Sequence, residues 1–296
     1  MPRAEMGRSG SVEGLRDALR AQSYLADDGL ATGLFLALSL ERPILVEGEA
    51  GVGKTELATA LAGALGAELI RLQCYEGIDA SQALYEWDYP RQLLYLRALG
   101  EREAAGERAV EGLFERRFLV ERPLLKALRA GERAVLLIDE VDRSDDEFEA
   151  FLLEVLSDFQ VTVPEVGTIR AERPPKVVLT SNRTRELHDA LKRRCLYHWI
   201  DYPSLEREVE IVRVRAPDVP EQLARKVAAA VAHIRGLDVV KRPGVAETID
   251  WARAVATLGA TSLDPGVAAD TLGWVVKERD DLERVRDSLP EALEDG

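Results

Sequence analysis

The sequence predicts an α/β fold in which a five-stranded parallel sheet is flanked by helices and followed by an all-helical segment. Short apolar runs alternate with amphipathic helical patterns over the first two thirds of the chain, and these runs stop after Pro203. Apolar runs of about four to eight residues between helical patterns are typical of strands buried on both faces of a parallel sheet. With 296 residues, 46% of them hydrophobic, the chain can bury a core in each of two domains.

Each element follows from its local pattern. The predicted strands span 44–47, 69–74, 134–139, 176–181 and 197–202. Apolar residues at helical spacing predict helices between the strands at 56–65 and 145–156. Further helices are predicted at 205–214, 221–234, 245–258, 265–276 and 279–288. We therefore expect an α/β domain at 1–203 and a helical domain at 204–296.

Several classes of protein are disfavoured by the composition. The longest apolar stretch, 33–40, is much shorter than the roughly 20 residues that span a bilayer, and residues 1–11 lack a signal-peptide core. A cytoplasmic protein without a membrane segment is expected, with a disordered start over the first ten residues. Cys74 and Cys195 lack metal-ligand or redox spacing, so both are interpreted as small buried hydrophobic residues.

The charge balance argues against nucleic acid as a partner. The chain carries 53 acidic and 39 basic residues, for a formal net charge of −14. A polyanion therefore meets net repulsion unless a local basic patch overrides it.

A glycine-rich loop carries the most specific chemical signal. It directly follows the first predicted strand and precedes a helix that Glu56 opens, which is the context of a phosphate-binding loop. Its glycines let backbone N–H groups point at phosphates, while Lys54 meets the β- and γ-phosphates of ATP and the Thr55 hydroxyl coordinates Mg²⁺. The loop reads Gly48, Glu49, Ala50, Gly51, Val52, Gly53, Lys54 and Thr55.

Two adjacent carboxylates close the third predicted strand. Asp139 and Glu140 follow an apolar run, and ligand chemistry in parallel sheets occurs at the carboxyl ends of strands. Asp139 is therefore a candidate to hold the Mg²⁺ water shell, and Glu140 to orient and deprotonate the attacking water. The simpler alternative is that the two residues only begin a surface loop.

Polar residues at the next two strands complete the candidate site. Asn182 closes the strand at 176–181 and should emerge beside Glu140, where an amide can contact the γ-phosphate and the attacking water. Arg193 and Arg194 precede the last strand, and either is a candidate arginine finger for a neighbouring subunit. Alternatively, Asn182 sits in an ordinary turn and the arginines form a solvated helix end.

Taken in order, GEAGVGKT, LLIDEVD, TSN and ALKRRC, followed by a helical tail, resemble the AAA+ ATPases and most closely their MoxR group. Three longer strings are similar to CoxD-type members and bring the resemblance to about residues 24–276. These strings are LQCYEGIDASQALYEWDYPRQLL, LKRRCLYHWIDYP and KRPGVAETIDWARAV.

The resemblance implies features that the spacing does not show. Nucleotide is expected between the core and a helical lid and against the next subunit of a homo-hexameric ring. Asn182 matches the sensor of the fourth strand, and Arg194 matches the finger position better than Arg193. A β-hairpin insert is expected at about 158–174 and a helical insert at about 75–105.

One position departs from the resemblance. Many MoxR relatives carry an arginine at the start of the third lid helix that reaches the γ-phosphate, and Val245 stands there in this chain. Arg242 or Arg253 is a candidate to replace it.

The resemblance also implies a function. MoxR relatives remodel other proteins together with partners that carry a von Willebrand factor A domain, and CoxD-type members are linked to the maturation of metal-containing enzymes. The client protein is not indicated by any residue. A nucleic-acid motor or clamp loader and a small-molecule kinase share the phosphate loop, but the first calls for a basic stripe and the second for a substrate-binding lid.

Overall fold

The computed structural model describes residues 10–99, 112–164 and 166–294. Its main sheet has five parallel strands, and every predicted strand is present within two residues of its predicted bounds, which confirms the expected fold class. The strands are β1 Ile44–Gly48, β2 Glu68–Gln73, β5 Ala134–Asp139, β8 Lys176–Ser181 and β9 Leu196–Ile200. Two short pairs outside this sheet are β3 Tyr85–Trp87 with β4 Leu119–Glu121, and β6 Gln160–Val163 with β7 Gly167–Arg170.

The strand order, β2-β5-β8-β1-β9, determines which loops can meet. Leu137 of β5 is in register with Val178 of β8, and Val178 is in register with Ile44 of β1. All three strands are buried along almost their whole length, as expected for the inner strands of a sheet covered on both faces. Because neighbouring strands run parallel, the carboxyl ends of β1, β8 and β5 lie at one edge of the sheet.

Helices surround the sheet, and they include the two that the periodicity predicts between strands, at 56–65 and 145–156. Within the described residues before position 200 they are α1 Val12–Ala21, α2 Asp28–Ser39, α3 Lys54–Leu65, α4 Ala80–Ala83, α5 Tyr89–Leu99, α6 Pro123–Ala130, α7 Asp146–Asp158 and α8 Asp189–Arg194. Helix α3 begins two residues before the predicted start, directly at the end of the glycine loop. Helix α7 begins after Asp145, whose side chain accepts a hydrogen bond from the Phe148 N–H and caps the helix.

The two inserts differ in how well the sequence describes them. Residues 158–174 contain the antiparallel pair β6 and β7, with Val161 opposite Ile169. The insert at 75–105 is not purely helical, because β3 lies between α4 and α5 and pairs with β4, which is distant in sequence. Trp87 of β3 is buried edge-on against Phe114, a contact that helical periodicity cannot reveal. Residues 100–105 of this insert lie outside the described residues, as do the first nine residues of the expected disordered start.

Helices alone follow β9 in the described part of the chain. They are α9 Leu205–Arg215, α10 Glu221–Gly236, α11 Val245–Thr257, α12 Pro265–Thr271 and α13 Arg279–Glu294. The fourth is shorter than predicted, since a 3₁₀ turn replaces its last part at Leu272–Trp274, where Gly273 disfavours an α-helix. The fifth is longer than predicted, because Leu289 and Leu293 are both buried. No helix among the described residues is long and apolar enough to cross a membrane.

Contacts divide the chain into two compact units, each with its own core. Among the described residues, one unit draws on 10–18, 27–47 and the described part of 58–198, and its core contains the strands and the helices around them. The other draws on 19–26, 48–57 and 199–294, and its core is formed by α9 to α13 around the fully buried Trp251. The sequence-based boundary at 203 differs from this division, because the glycine loop groups with the C-terminal helices by contact.

A buried ion pair holds three helices of the second unit together. The guanidinium of Arg235 on α10 donates to both carboxylate oxygens of Glu208 on α9, at 2.6 and 2.8 Å. The Thr248 hydroxyl on α11 donates to the same carboxylate at 2.5 Å. The side chains of Arg235 and Glu208 are only 9% and 1% exposed, so neither charge has water as an alternative partner.

Glu208→Ala should destabilise this unit by about 3–5 kcal/mol, because it leaves the Arg235 guanidinium buried without its counter-charge. Urea unfolding followed by circular dichroism measures the change. The matched control is Glu221→Ala, whose partner Arg213 lies 3.1 Å away in a pair that is 55% exposed on both sides. This control should cost less than about 1 kcal/mol. Equal losses of unfolding free energy in the two variants would contradict the stabilising role of the buried Glu208–Arg235 pair.

Candidate active site

Asp139 and Glu140 lie at the carboxyl end of β5 and form what we call the acidic edge of the sheet. Asp139 is its buried residue. Its side chain is 2% exposed, and its Oδ1 accepts a hydrogen bond from the Thr180 hydroxyl of β8 at 2.5 Å. Its Oδ2 accepts from Arg71 of β2, from Nε at 3.0 Å and from Nη2 at 2.6 Å. Side chains from both neighbours of β5 in the sheet order therefore contact this carboxylate at the end of the strand.

Glu140, the next residue, sits in a constrained position. Its backbone is left-handed with φ of 53°, a conformation that costs a residue with a side chain about 1–2 kcal/mol. Its N–H donates to the Thr180 hydroxyl at 2.9 Å. The carboxylate accepts from Gln73 Nε2 at 3.0 Å, from Arg143 Nη1 at 3.3 Å and from Asn182 Nδ2 at 3.4 Å. The structure thus brings Glu140 and Asn182 together.

Asp142 organises the loop that carries Asn182. Its buried Oδ2 accepts hydrogen bonds from the backbone N–H of Asn182 at 3.2 Å and of Thr184 at 2.8 Å. The Thr184 hydroxyl also donates to it at 2.7 Å. A carboxylate that collects backbone N–H groups fixes a turn strongly, because such bonds are charge-assisted. The loop after β8 is therefore tied to the segment that follows β5.

The glycine loop shows why its glycines are required. Gly51 and Gly53 have φ of 77° and 96°, values that residues with a Cβ rarely adopt. At Gly48 a Cβ would lie 2.3 Å from the carbonyl oxygen of Ile200, so no side chain fits there. The loop runs directly from β1 into α3, which begins at Lys54.

Lys54 is folded over its own loop. Its ammonium donates to the carbonyl oxygens of Gly48 at 2.8 Å and Glu49 at 2.6 Å, and the residue is 6% exposed. Thr55 follows in the first turn of α3, where the helix dipole favours an anion. Glu56 forms an ion pair with Arg215 of α9. This loop has the composition and the conformation of a phosphate cradle.

The start of α11 touches the glycine loop. The Val245 N–H donates to the Gly51 carbonyl at 2.9 Å, and a Cβ on Gly51 would lie 2.8 Å from the Cα of Gly244. Of the two arginines considered as substitutes for Val245, Arg253 donates to the carbonyl of Arg215. Arg242 is exposed in the loop before α11. Which of them replaces the missing arginine stays a prediction.

Arg193 and Arg194 end α8 and are both exposed. Neither forms an ion pair with another described residue of the chain. Within the described residues, therefore, no opposite charge holds either side chain in place.

Cys74, which follows β2, is a buried thiol close to the acidic residues. Burial, followed by the negative charges of Asp139, Asp142 and Glu140, raises the pKa of the Cys74 thiol to about 12. Burial alone raises the pKa of the Cys195 thiol to about 12. Both cysteines are buried and unpaired, in agreement with their interpretation as small hydrophobic residues.

Several residues of the site were missed by the sequence analysis. Arg71 and Gln73 stand two apart on β2 and donate to Asp139 and Glu140 respectively. Thr180 donates to Asp139, and Asp142 accepts from the Asn182 N–H. Polar residues at alternate positions near the carboxyl end of a half-buried strand were the available signal. The strand order was needed to show that β2 lies next to β5.

Asp139 supplies the kind of oxygen donor that Mg²⁺ binds in proteins. The described residues include no group of three or more His, Cys, Asp or Glu that could hold a metal ion. Mg²⁺ is commonly held by one or two protein oxygens together with phosphates and water, so a buried carboxylate and a hydroxyl suffice.

Residues 43–195 match the family model described as an AAA domain of the dynein-related subfamily. The chain belongs to this family. The match covers β1, the glycine loop, the acidic edge and α8, which are the elements that carry the candidate site. The chain is accordingly an AAA+ ATPase with a nucleotide-binding fold.

Curated relatives agree with this assignment. The chain is 28% identical over 303 residues to the gas vesicle ATPase GvpN2 of Halobacterium salinarum, with 93% of this chain and 81% of that protein covered. It is also 28% identical to the chaperone protein ClpB of Streptomyces albus over 278 residues, where it covers 27% of the larger protein. Among solved structures, a mutant of Thermotoga maritima RuvB has a TM-score of 0.50 at 18% identity, covering 88% of this chain and 69% of that one. This last likeness concerns the fold alone.

Thiol labelling checks the burial of both cysteines. The thiolate is the reactive form of cysteine, and with a pKa of about 12 very few Cys74 thiols should be ionised at pH 8. A disulfide reagent should therefore label neither cysteine of the folded protein within minutes, and both after denaturation. Cys195→Ala isolates Cys74, and rapid labelling of that folded variant would contradict the buried position beside Asp139.

Proposed function

We propose that this ATPase hydrolyses Mg²⁺·ATP with the glycine loop from Gly48 to Thr55 as phosphate cradle and with Asp139 and Glu140 as its acidic pair. One observation carries the proposal. The carboxyl ends of β1, β8 and β5 lie at the same edge of the sheet, and the chain leaves them into the glycine loop, Asn182 and Glu140 respectively.

The binding residues have distinct roles in this proposal. Lys54 releases its loop carbonyls and contacts the β- and γ-phosphates, while the N–H groups of the loop and of Glu56 face the remaining phosphate oxygens. Thr55 and Asp139 hold Mg²⁺ through a hydroxyl and a carboxylate. When bound, Mg²⁺ neutralises charge on the phosphates.

Glu140 acts as the base that orients and deprotonates water. Three hydrogen bonds from Gln73, Arg143 and Asn182 restrict the orientation of its carboxylate. A fixed orientation supports the role of a base that must point toward the attacking water. Asn182 is proposed to hold the water together with Glu140, and Asp142 keeps Asn182 in place by bonding its backbone.

We further propose that the chain works as a homo-hexameric ring in which Arg194, with Arg193 as its neighbour, reaches the nucleotide of the next subunit. The exposure of both arginines and their lack of ion pairs within the described residues support this role. The helical part from 204 would then serve as the lid of the same subunit.

The biological role that we propose is the remodelling or maturation of a client protein in the cytoplasm, together with a protein that carries a von Willebrand factor A domain. The similarity of several strings to the MoxR group and its CoxD-type members supports this role, as does the relative named as a chaperone. A metalloenzyme is one client that the CoxD-type similarity suggests. The net charge of −14 speaks against a nucleic-acid motor.

Glu140→Gln should lower ATP hydrolysis by about 100-fold or more while retaining nucleotide binding, because the amide cannot accept the proton of water. Steady-state phosphate release and the binding of a fluorescent nucleotide measure the two effects. Lys54→Ala is the comparison variant and should lose binding itself.

Turnover of Glu140→Gln near the normal rate would contradict its role. The same variant, tagged and held in ATP, also tests the biological role by copurification. A von Willebrand factor A domain protein in the captured complex supports remodelling, whereas captured DNA contradicts it.

Arg194→Ala should reduce hydrolysis by about a thousandfold in the assembled protein, because a finger stabilises transition-state charge on a neighbour's phosphate. Hydrolysis per subunit should rise with protein concentration as the wild-type ring forms and should stay flat in this variant. Arg193→Ala identifies which of the two arginines is the finger. A monomer with full activity would rule the finger out.

A further inference from the structure

Arg71 makes a contact with the acidic edge that catalysis by Asp139 and Glu140 does not require. Two of its nitrogens, Nε at 3.0 Å and Nη2 at 2.6 Å, donate to the same oxygen of Asp139, Oδ2. The Arg71 side chain is 52% exposed, whereas Asp139 is 2% exposed. A solvent-facing cation thus approaches a carboxylate that has almost no contact with water.

The buried carboxylate needs a positive partner. An isolated ionised carboxylate in a protein interior is costly, and a nearby guanidinium offsets that cost. Water offers Asp139 little compensation, because the side chain is 2% exposed and its other oxygen accepts from the Thr180 hydroxyl at 2.5 Å. Arg71 is therefore placed to act as the counter-charge of Asp139 while no other cation is present.

Arg71 can also leave at little cost. Strand β2 stands first in the sheet order, so no strand of the described residues lies on its outer side, and the Arg71 side chain is already 52% exposed. Its Nη2 also donates to Gln73 Oε1, two residues along the same strand. This second acceptor lets the side chain stay beside the site after it has lost Asp139.

A divalent cation and Arg71 compete for the same carboxylate. Like charges a few ångströms apart repel each other, most strongly where water is excluded. We propose that Arg71 is a displaceable counter-ion of Asp139, which neutralises this carboxylate in the metal-free protein and gives way when Mg²⁺ enters with nucleotide. The inference rests on the proposed role of Asp139 in holding Mg²⁺.

The prediction concerns nucleotide binding, so it does not depend on turnover. A fluorescent imido analogue of ATP, which is not hydrolysed, is titrated into the protein once with Mg²⁺ and once with EDTA. The dissociation constant in EDTA divided by that in Mg²⁺ measures how much the metal tightens nucleotide binding. In Arg71→Met this ratio should be about fivefold or more above the wild-type ratio, since the metal no longer displaces a cation.

Two further variants make the comparison specific. Arg71→Lys keeps the charge but not the paired donors to Oδ2, so its ratio should lie between those of the wild type and Arg71→Met. Arg173→Met removes an arginine whose pair with Glu132 is exposed on both sides, and its ratio should equal that of the wild type. A thermal melt in EDTA should show Arg71→Met as the least stable of the three, with Mg²⁺ and analogue restoring more of its melting temperature.

An unchanged or smaller ratio in Arg71→Met would overturn the inference, because Arg71 would then be inert or would help to hold the metal. If Arg71→Met does not fold, the two titrations are repeated with Arg71→Lys, whose ratio of dissociation constants must still exceed that of the wild type. A wild-type protein that binds no nucleotide would instead contradict the proposed function, which separates the two failures.

Discussion

A single buried carboxylate determines how the acidic edge of this AAA domain is built. Asp139 ends a strand that is buried from end to end, so its charge must be satisfied by groups that the sheet supplies. Thr180 and Arg71 provide them from the strands on either side of β5. The Thr180 hydroxyl also accepts from the Glu140 N–H, so the group that satisfies Asp139 helps to hold the backbone of Glu140 in its left-handed conformation.

The parts of the site that the sequence predicted are those whose chemistry is local. The glycine loop needs residues in one unbroken stretch, since positive φ at Gly51 and Gly53 is a property of the loop itself. The strand that ends at Asp139 was equally readable, because burial on both faces leaves a continuous apolar run. The position of Asn182 beside Glu140 followed from the rule that parallel strands share a carboxyl edge.

The remaining features depend on pairings between distant segments, which periodicity does not encode. Arg71 and Gln73 contact the acidic edge only because β2 is placed next to β5 in the sheet. The pairing of β3 with β4 joins residues more than 30 positions apart, so a stretch expected to be helical contains a strand. In the same way the last helix extends past its predicted end because Leu289 and Leu293 find a core to enter.

The meeting of Gly51 and Gly244 has a consequence for how this protein could respond to its ligand. Two main chains touch there without any side chain between them, joined by the amide of Val245 and the carbonyl of Gly51. An arginine at the position of Val245 could change its side-chain rotamer while both backbones kept their positions. Two main chains in direct contact cannot adjust in this way. A rearrangement of the loop at Gly51 would therefore act directly on the first turn of α11. A methyl group added at either glycine would clash with the other main chain and force the two apart.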